Sequence, residues 1–156
     1  MKRLLFTLAT CCVMCACEQK TEINPFFTEF QTEYGAPDFT KIRLEHYEPA
    51  FLKGIEEQNA EIKAIVDNPE EPTFENTIVA LDKSGGILAR VSGVFFALTE
   101  ADTNDSLTAL NEKMAPVLSE HSDNIYLNQD LYKRVADVHQ PVSYTHLRAH
   151  ETVLDL

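Results

Sequence analysis

Two histidines near the end of the sequence have a spacing that could bind a metal ion. His146 and His150 are four residues apart in the stretch VSYTHLRAHET. On a helix they would lie on one face, where two imidazoles can reach the same zinc ion. The zinc-peptidase pattern H-E-x-x-H, however, has its glutamate directly after the first histidine, whereas here Leu147 stands there and Glu151 follows the second histidine. We therefore predict no metal site and no catalytic residue in this sequence.

The same stretch has an explanation at the level of DNA. Residues 142–152 can be back-translated into a string that resembles a transposase adapter used to prepare sequencing libraries. Residues 152–156 fit the index and linker bases that follow such an adapter. We expect residues 141–156 to be translated adapter DNA, and such segments are excluded from reasoning about the fold.

Residues 1–17 have the features of a secretory signal of the bacterial lipoprotein type. A basic tip is followed by an apolar run and by small residues before Cys17. The run is shorter than the roughly 20 residues of a membrane-spanning helix. Met14 occupies a position where such signals favour leucine, which leaves a plain signal or an uncleaved tail as alternatives. We predict lipidation at Cys17, export, and anchoring of the protein to the cell envelope, facing the periplasm.

Charge and cysteine content narrow the possible functions of the remaining chain. The formal net charge of the 156 residues is −12, which disfavours binding to nucleic acid. All four cysteines lie within the first 17 residues, so the mature chain would have no thiol for a disulfide, a zinc site or nucleophilic catalysis. We expect no nucleic-acid partner and no cysteine chemistry.

Residues 18–40 show no sustained hydrophobic period and contain proline, glycine and several aromatic residues. A flexible linker alone has no need of aromatic side chains. We expect an extended lead-in whose first few residues are linker and whose second half docks on the domain. Its aromatic residues are Phe26, Phe27, Phe30, Tyr34 and Phe39.

Residues 41–140 have helical periodicity, with apolar residues at steps of three and four. A first helix is predicted to start at Pro49 and to stop before Asn68. Thr73 is a candidate cap for a second helix that starts at Phe74. Gly85 and Gly86 each cost about 1 kcal/mol in a helix interior, but the apolar spacing continues across them, so we expect one long helix.

Two further helices complete the predicted domain. Asn104 or Asp105 is expected to cap the third helix, which Pro116 should bend. Asn128 is expected to cap the fourth helix, whose predicted buried residues are Leu131, Tyr132, Val135 and Val138. Because no long run alternates with period two, the predicted fold is all-α, with antiparallel helices joined by short connections.

The body of the sequence contains none of the common catalytic motifs. Phosphate-binding glycine loops, nucleophile elbows and H-E-x-x-H are all absent from these residues. His46, His121 and His139 are each predicted to be a hydrogen-bonded structural histidine or a surface histidine and not a metal ligand or a catalytic base. These residues alone indicate an exported acidic helical domain without an active site of its own.

Three stretches carry a more specific resemblance. They are NPFF with residues 34–85, which include PTFENT; residues 90–107, which include FFALTEADTND; and residues 115–135. Together they resemble the N-terminal region of the bacterial peptidyl-dipeptidases, zinc metallopeptidases in the family of oligopeptidase A, thimet oligopeptidase and neurolysin. The resemblance runs in register from about Asn24 to His139.

The resemblance implies that these helices form part of one lobe of a larger, two-lobed helical metallopeptidase. In that family the lobes enclose a channel that admits short peptides, and Zn²⁺ assists hydrolysis that releases C-terminal dipeptides. The zinc helix and its downstream glutamate ligand lie several hundred residues further on, so no position here matches them. The sequence is then expected to be an inactive N-terminal part of an oligopeptide-cleaving enzyme. The alternative is a complete, lipid-anchored helical binding module without catalysis.

Overall fold

A computed structural model describes residues 23–142, with side chains as far as residue 139. Two 3-10 turns, a π-helical segment and five α-helices follow one another along this part of the chain. Their bounds are Pro25–Phe27 and Glu33–Gly35 (3-10), Leu44–Val66 (α1), Phe74–Val79 (π), Ala80–Lys83 (α2), Gly86–Ala101 (α3), Asp105–Tyr126 (α4) and Gln129–Val142 (α5). No residue from 23 to 142 lies in a strand, and the all-α prediction is confirmed.

The predictions made for both ends of the chain fall outside the described residues. They concern the signal segment with Cys17 and the adapter-like tail with His146 and His150. Between residues 23 and 142, no helix combines the length and the apolar character needed to cross a membrane. Lipidation of Cys17 and the adapter origin of residues 141–156 therefore stay predictions.

α1 begins earlier than its apolar spacing indicated. The side chain of His46 accepts a hydrogen bond at Nδ1 from the backbone N–H of Arg43, 3.1 Å away, and the helix starts at Leu44. Pro49 lies inside the helix, so the predicted start at Pro49 is wrong. The reason is that a histidine side chain supplies the N-terminal hydrogen bond. The predicted stop before Asn68 is confirmed, since α1 ends at Val66.

The chain breaks at Gly85, where one continuous helix was predicted. Gly85 has a left-handed backbone with φ of 75°, and its N–H donates a 2.7 Å hydrogen bond to Oε2 of Glu61 on α1. A Cβ at this position would lie only 2.5 Å from the amide nitrogen of Gln58, also on α1. The prediction of one helix across Gly85 and Gly86 is wrong, because contacts with α1 stabilise a turn that glycine alone adopts at low cost.

Polar side chains cap three helical segments as predicted. Thr73 accepts a hydrogen bond from the backbone N–H of Asn76, whose side chain accepts one from the N–H of Thr73 in return. The side chains of Asn104 and Asn128 each accept two backbone N–H groups, at the starts of α4 and α5. Because these donors have no partner within their helices, the caps define where the helices begin.

Contacts between α1 and α3 show that these helices run in opposite directions. Tyr47 near the start of α1 meets Phe95 in the second half of α3, with ring centroids 5.3 Å apart. Further along α1, Gln58 donates a hydrogen bond to Ser84, just before α3 begins. Residue numbers thus rise along one helix as they fall along the other.

α4 runs in the same direction as α1. Glu48 forms a 2.6 Å ion pair with Lys113, and Gln58 is hydrogen bonded to His121. Residue numbers therefore rise in the same direction along α1 and α4. The long helices α1, α3 and α4 thus alternate in direction, and the predicted antiparallel succession is confirmed for these three helices.

Buried apolar side chains form two clusters, both of which include residues of α1. Cluster 1 combines α1 with the lead-in, α3 and α4, and contains Phe26, Tyr47, Ala50, Phe51, Val91, Val94, Phe95, Leu107 and Met114. Cluster 2 lies nearer the end of α1 and contains Ile62, Ile65 and Leu131, with Val66, Ala80, Leu81 and Ile125 packed against it. The domain thus has two small cores along one shared helix.

The lead-in docks through its first aromatic residue. Phe26 is fully buried in cluster 1, and its carbonyl oxygen accepts a 2.7 Å hydrogen bond from Arg90 on α3. The Asn24 side chain donates a 2.7 Å hydrogen bond to a backbone carbonyl of α1. Tyr34 is 96% exposed and Phe39 57% exposed. The expectation that the second half of the lead-in docks therefore holds only for Phe30, which packs against cluster 1. The fully buried docking residue, Phe26, lies in the NPFF stretch.

The buried face of α5 is narrower than predicted. Leu131 and Val138 are buried, whereas Val135 is only half-buried. Tyr132, predicted to be buried, is 70% exposed. Adjacent residues of a helix point about 100° apart, and α1 contacts the side on which Leu131 lies. Tyr132 is left at the edge of the contact.

Candidate functional site

A cleft of about 450 Å³ lies between α1, α2, α3, α4 and α5. Its walls include Leu88 and Leu118, which pack on cluster 1, and Leu81, Ile125 and Leu131, which belong to the region of cluster 2. The cleft therefore separates the two cores. The remaining lining residues are Gln58, Ser84, His121, Ser122, Tyr126, Asn128, Tyr132 and Val135.

A chain of hydrogen bonds forms one wall of the cleft. Oε1 of Gln58 lies 2.7 Å from Nε2 of His121, and Nε2 of Gln58 donates a 3.2 Å hydrogen bond to Oγ of Ser84. Because an amide oxygen can only accept, Nε2 of His121 must carry the hydrogen. The side chain of Gln58 thereby connects α4 with the break before α3.

His121 is buried, with 5% of its surface exposed, and its Nδ1 has no hydrogen-bond partner among the described residues. Burial lowers the pKa of the imidazole below its ordinary value, since a buried imidazolium loses hydration. Burial therefore favours the neutral form of the ring. The hydrogen-bonded structural role predicted for His121 is confirmed by its bond to Gln58.

Ser84 is not placed to act as a nucleophile. Its hydroxyl donates a 2.8 Å hydrogen bond to the backbone carbonyl of Leu81 and accepts one from Gln58. A nucleophilic serine needs a base that takes its proton, and here the hydroxyl hydrogen is directed to a carbonyl. The wall can offer hydrogen bonds to a bound group, and its serine is hydrogen bonded to a carbonyl and an amide and not to a base.

The rim of the cleft is aromatic. Tyr126 at the end of α4 is 83% exposed, and Tyr132 on α5 is 70% exposed. Both line the cleft, and neighbouring Leu127 is 73% exposed. An apolar floor, an uncharged polar wall and an aromatic rim together suit the binding of an apolar group.

The described residues do not fit the zinc site that the family resemblance implies. Between residues 23 and 139, no three His, Cys, Asp or Glu side chains are grouped closely enough to hold a metal ion. His46 caps α1, and His139 is exposed on α5. The ligands of a catalytic zinc would have to come from residues outside this described part of the chain.

The family-like stretches have structural roles in this part of the chain. In NPFF, the Asn24 side chain accepts a hydrogen bond from the N–H of Phe26, which is buried in cluster 1. In PTFENT, Thr73 and Asn76 cap the π-helical segment, and Thr77 is fully buried. Both stretches fix where helices start and how they pack, and neither presents a reactive group.

Sequence reasoning did not single out Gln58, Glu61 or Ser84. Gln58 and Glu61 lie among other polar residues on α1, and Ser84 stood in a segment predicted to be helical. The hydrogen bonds from Gln58 to Ser84 and from Gly85 to Glu61 join residues at least 24 positions apart in the chain. No local pattern in the sequence signals such contacts.

Comparison with known proteins identifies relatives for most of the chain. Dipeptidyl carboxypeptidase of Escherichia coli K12 is 48% identical over 120 residues, covering 77% of this chain and 18% of that protein. Dipeptidyl carboxypeptidase of Salmonella typhimurium LT2 is 45% identical over 117 residues, covering 75% of this chain and 17% of that protein. Oligopeptidase A of E. coli K12 is 27% identical over 124 residues, covering 80% of this chain and 18% of that protein.

No family model matches the chain. The chain spans less than a fifth of the length of these curated relatives. Identity of 45–48% over about three quarters of the chain is nevertheless far above chance, and it agrees with the resemblance carried by the three stretches. The chain belongs to the peptidase family that includes dipeptidyl carboxypeptidase and oligopeptidase A.

Proposed function

We propose that this chain is a structural part of a zinc-dependent peptidyl-dipeptidase that hydrolyses oligopeptides and releases C-terminal dipeptides. The observation that best supports this proposal is the 48% identity with a protein named dipeptidyl carboxypeptidase. An all-helical domain without a grouped set of catalytic side chains among residues 23–139 is consistent with a supporting role.

In this proposal the helices form part of the wall of one lobe, which shapes the space where peptides bind. Exposed apolar side chains support a larger assembly, because a self-sufficient domain buries more of them. They include Leu44, Leu52, Phe74, Phe96, Tyr126, Leu127 and Tyr132. The 156-residue chain alone is inactive as a peptidase, since zinc and its ligands belong to the remainder of the parent protein.

The decisive experiment is to extend the reading frame beyond residue 141 in the source genome and to assay the complete product. The proposal expects an H-E-x-x-H motif downstream and release of dipeptides from the carboxyl end of a blocked oligopeptide. The 156-residue chain serves as the inactive control. A native stop codon near residue 141 would instead favour a complete helical binding module and would end the proposal.

We propose further that the protein is exported and anchored to the cell envelope by a lipid on Cys17. The support is the signal-like composition of residues 1–17 and the small residue before Cys17. Metabolic labelling with palmitate tests the idea. Cys17→Ser should abolish labelling, whereas Cys15→Ser should leave it; label that persists in Cys17→Ser would contradict the assignment.

A further inference from the structure

The cleft between the two hydrophobic clusters is open along walls that are mostly apolar. Protein interiors are packed about as densely as organic crystals, with few voids larger than a water molecule. A cleft of about 450 Å³ that separates two cores of one domain is therefore space for the side chains of another segment. Five leucine and isoleucine residues from both clusters face it, namely Leu81, Leu88, Leu118, Ile125 and Leu131.

We propose that apolar side chains of a segment from the remainder of the parent polypeptide fill this cleft and join the two clusters into one core. The inference rests on the proposed function, because it requires a longer parent chain. It adds a specific contact surface between this region and the rest of the peptidase.

The length of the relatives supports an occupant from the same polypeptide. The matched region covers only 17–18% of each dipeptidyl carboxypeptidase, so more than four fifths of such a protein lies elsewhere. The last described helix, α5, contributes Leu131, Tyr132 and Val135 to the cleft. Chain that follows α5 is thus attached directly to a wall of the cleft, at high effective concentration.

The polar wall indicates an uncharged occupant. Its side chains are Gln58, Ser84 and His121, which carry no formal charge when the imidazole is neutral. No ion pair between described side chains involves a residue that lines the cleft. Burying a carboxylate here without a cationic partner would be costly. The wall therefore favours an internal segment over the free C-terminal carboxylate of a peptide substrate.

Thiol labelling can test whether the cleft is filled. Ser122 lines the cleft and is half-buried, and Ser119, one turn earlier on α4, is exposed and does not line it. We would compare Ser122→Cys with the matched control Ser119→Cys, in the 156-residue chain and in the full-length parent. Modification by a maleimide is measured over time by mass spectrometry of the peptide that contains the new cysteine.

The proposal expects Cys labelling at position 122 to be at least about tenfold slower in the parent than in the 156-residue chain, since a filled site is reached only by local opening. Position 119 should react at similar rates in both proteins. Equal rates at position 122 in an active parent would overturn this inference and leave the proposed function standing. A gene without a downstream zinc motif would overturn both.

Two other occupants give distinct outcomes in the same experiment. If protection at position 122 arises in the 156-residue chain as its concentration is raised, the occupant is a second copy of the chain. If protection in the parent requires an added oligopeptide, the occupant is substrate. Either result contradicts the proposal. Wild-type-like far-UV circular dichroism of both Cys variants confirms that slow labelling reflects coverage and not misfolding.

Discussion

Gly54 of α1 lies directly against Leu88 of α3: a Cβ at Gly54 would be 2.8 Å from the backbone nitrogen of Leu88. This close approach allows the two helices to share cluster 1. Gly54→Ala should therefore destabilise the fold by more than about 1 kcal/mol, because backbone cannot move aside as a side chain can.

The matched control for that substitution is Gly93, a glycine of α3 with open space around its Cβ position. Gly93→Ala should stabilise the protein by up to about 1 kcal/mol, because alanine favours the helix and nothing obstructs it. Urea denaturation at constant pH measures both changes. Substitutions with effects of the same sign would contradict the close packing of α1 on α3.

Phe95 holds the aromatic part of cluster 1 together. Its ring centroid lies 5.3 Å from those of Tyr47 and Phe51, and the side chain is fully buried. Phe95→Ala should cost about 3–5 kcal/mol of unfolding free energy. Phe96→Ala removes a neighbouring ring that is 40% exposed, and should cost less than half as much. Chemical denaturation monitored by circular dichroism measures both losses of unfolding free energy. Equal losses for the two substitutions would show that Phe95 is not central to cluster 1.

His121 should make stability depend on pH in a defined direction. Burial lowers the pKa of its imidazole in the folded state, so the unfolded chain binds a proton first as the pH falls below about 6.5. The free energy of unfolding should therefore decrease from pH 7.5 to 5.5, by at most about 1.4 kcal/mol per pH unit from this group.

His121→Gln keeps a donor for Gln58 and removes the titration, so it should flatten this part of the pH profile. His139→Gln is the control, because His139 is exposed on α5. Urea titrations at each pH give the slopes. A slope unchanged in His121→Gln and lost in His139→Gln would show that another histidine governs the effect.

The docked lead-in should be released when Phe26 is shortened. Phe26→Ala removes a fully buried ring that contacts Phe30 and Tyr47. Brief chymotrypsin digestion should then cut faster at Phe27 and Phe30, because these peptide bonds become accessible through local unfolding. Tyr34→Ala, at a side chain that is 96% exposed, should leave those cuts unchanged. Equal cutting in Phe26→Ala and wild type would contradict docking by Phe26.

The 156-residue chain should be marginally stable and should bind apolar dyes. Two small clusters replace one large core, and several large apolar side chains are exposed. We expect enhanced fluorescence of anilinonaphthalene sulfonate and a broad thermal transition by calorimetry. A sharp, cooperative transition at high temperature without dye binding would show that the domain is self-sufficient.

The parts of the fold that depend on neighbouring residues were predictable from sequence. The caps at Thr73, Asn104 and Asn128 are local hydrogen bonds whose donors and acceptors lie within three residues. The stop after α1 follows from Asn68 and the proline beside it. Helical periodicity indicated which faces would be buried, and Leu131 and Val138 are buried accordingly.

Other features depend on contacts between distant residues and could not be predicted in this way. The break at Gly85 is stabilised by Glu61, 24 positions earlier, and Gln58 fills the space where a Cβ would project. The exposure of Tyr132 depends on how α5 lies against α1. The wall of the cleft likewise joins Gln58 to His121 across 63 positions. Periodicity carries no information about such pairs.

α1 is the one element described here that supplies buried residues to both clusters: Phe51 belongs to the first, and Ile62 and Ile65 to the second. The cooperative unfolding of this region therefore depends on the rigidity of a single helix of 23 residues. A kink in the middle of α1, near Gln58, would make the folding of cluster 1 independent of the folding of cluster 2. The amino-terminal half could then stay folded while the carboxyl-terminal half melts independently.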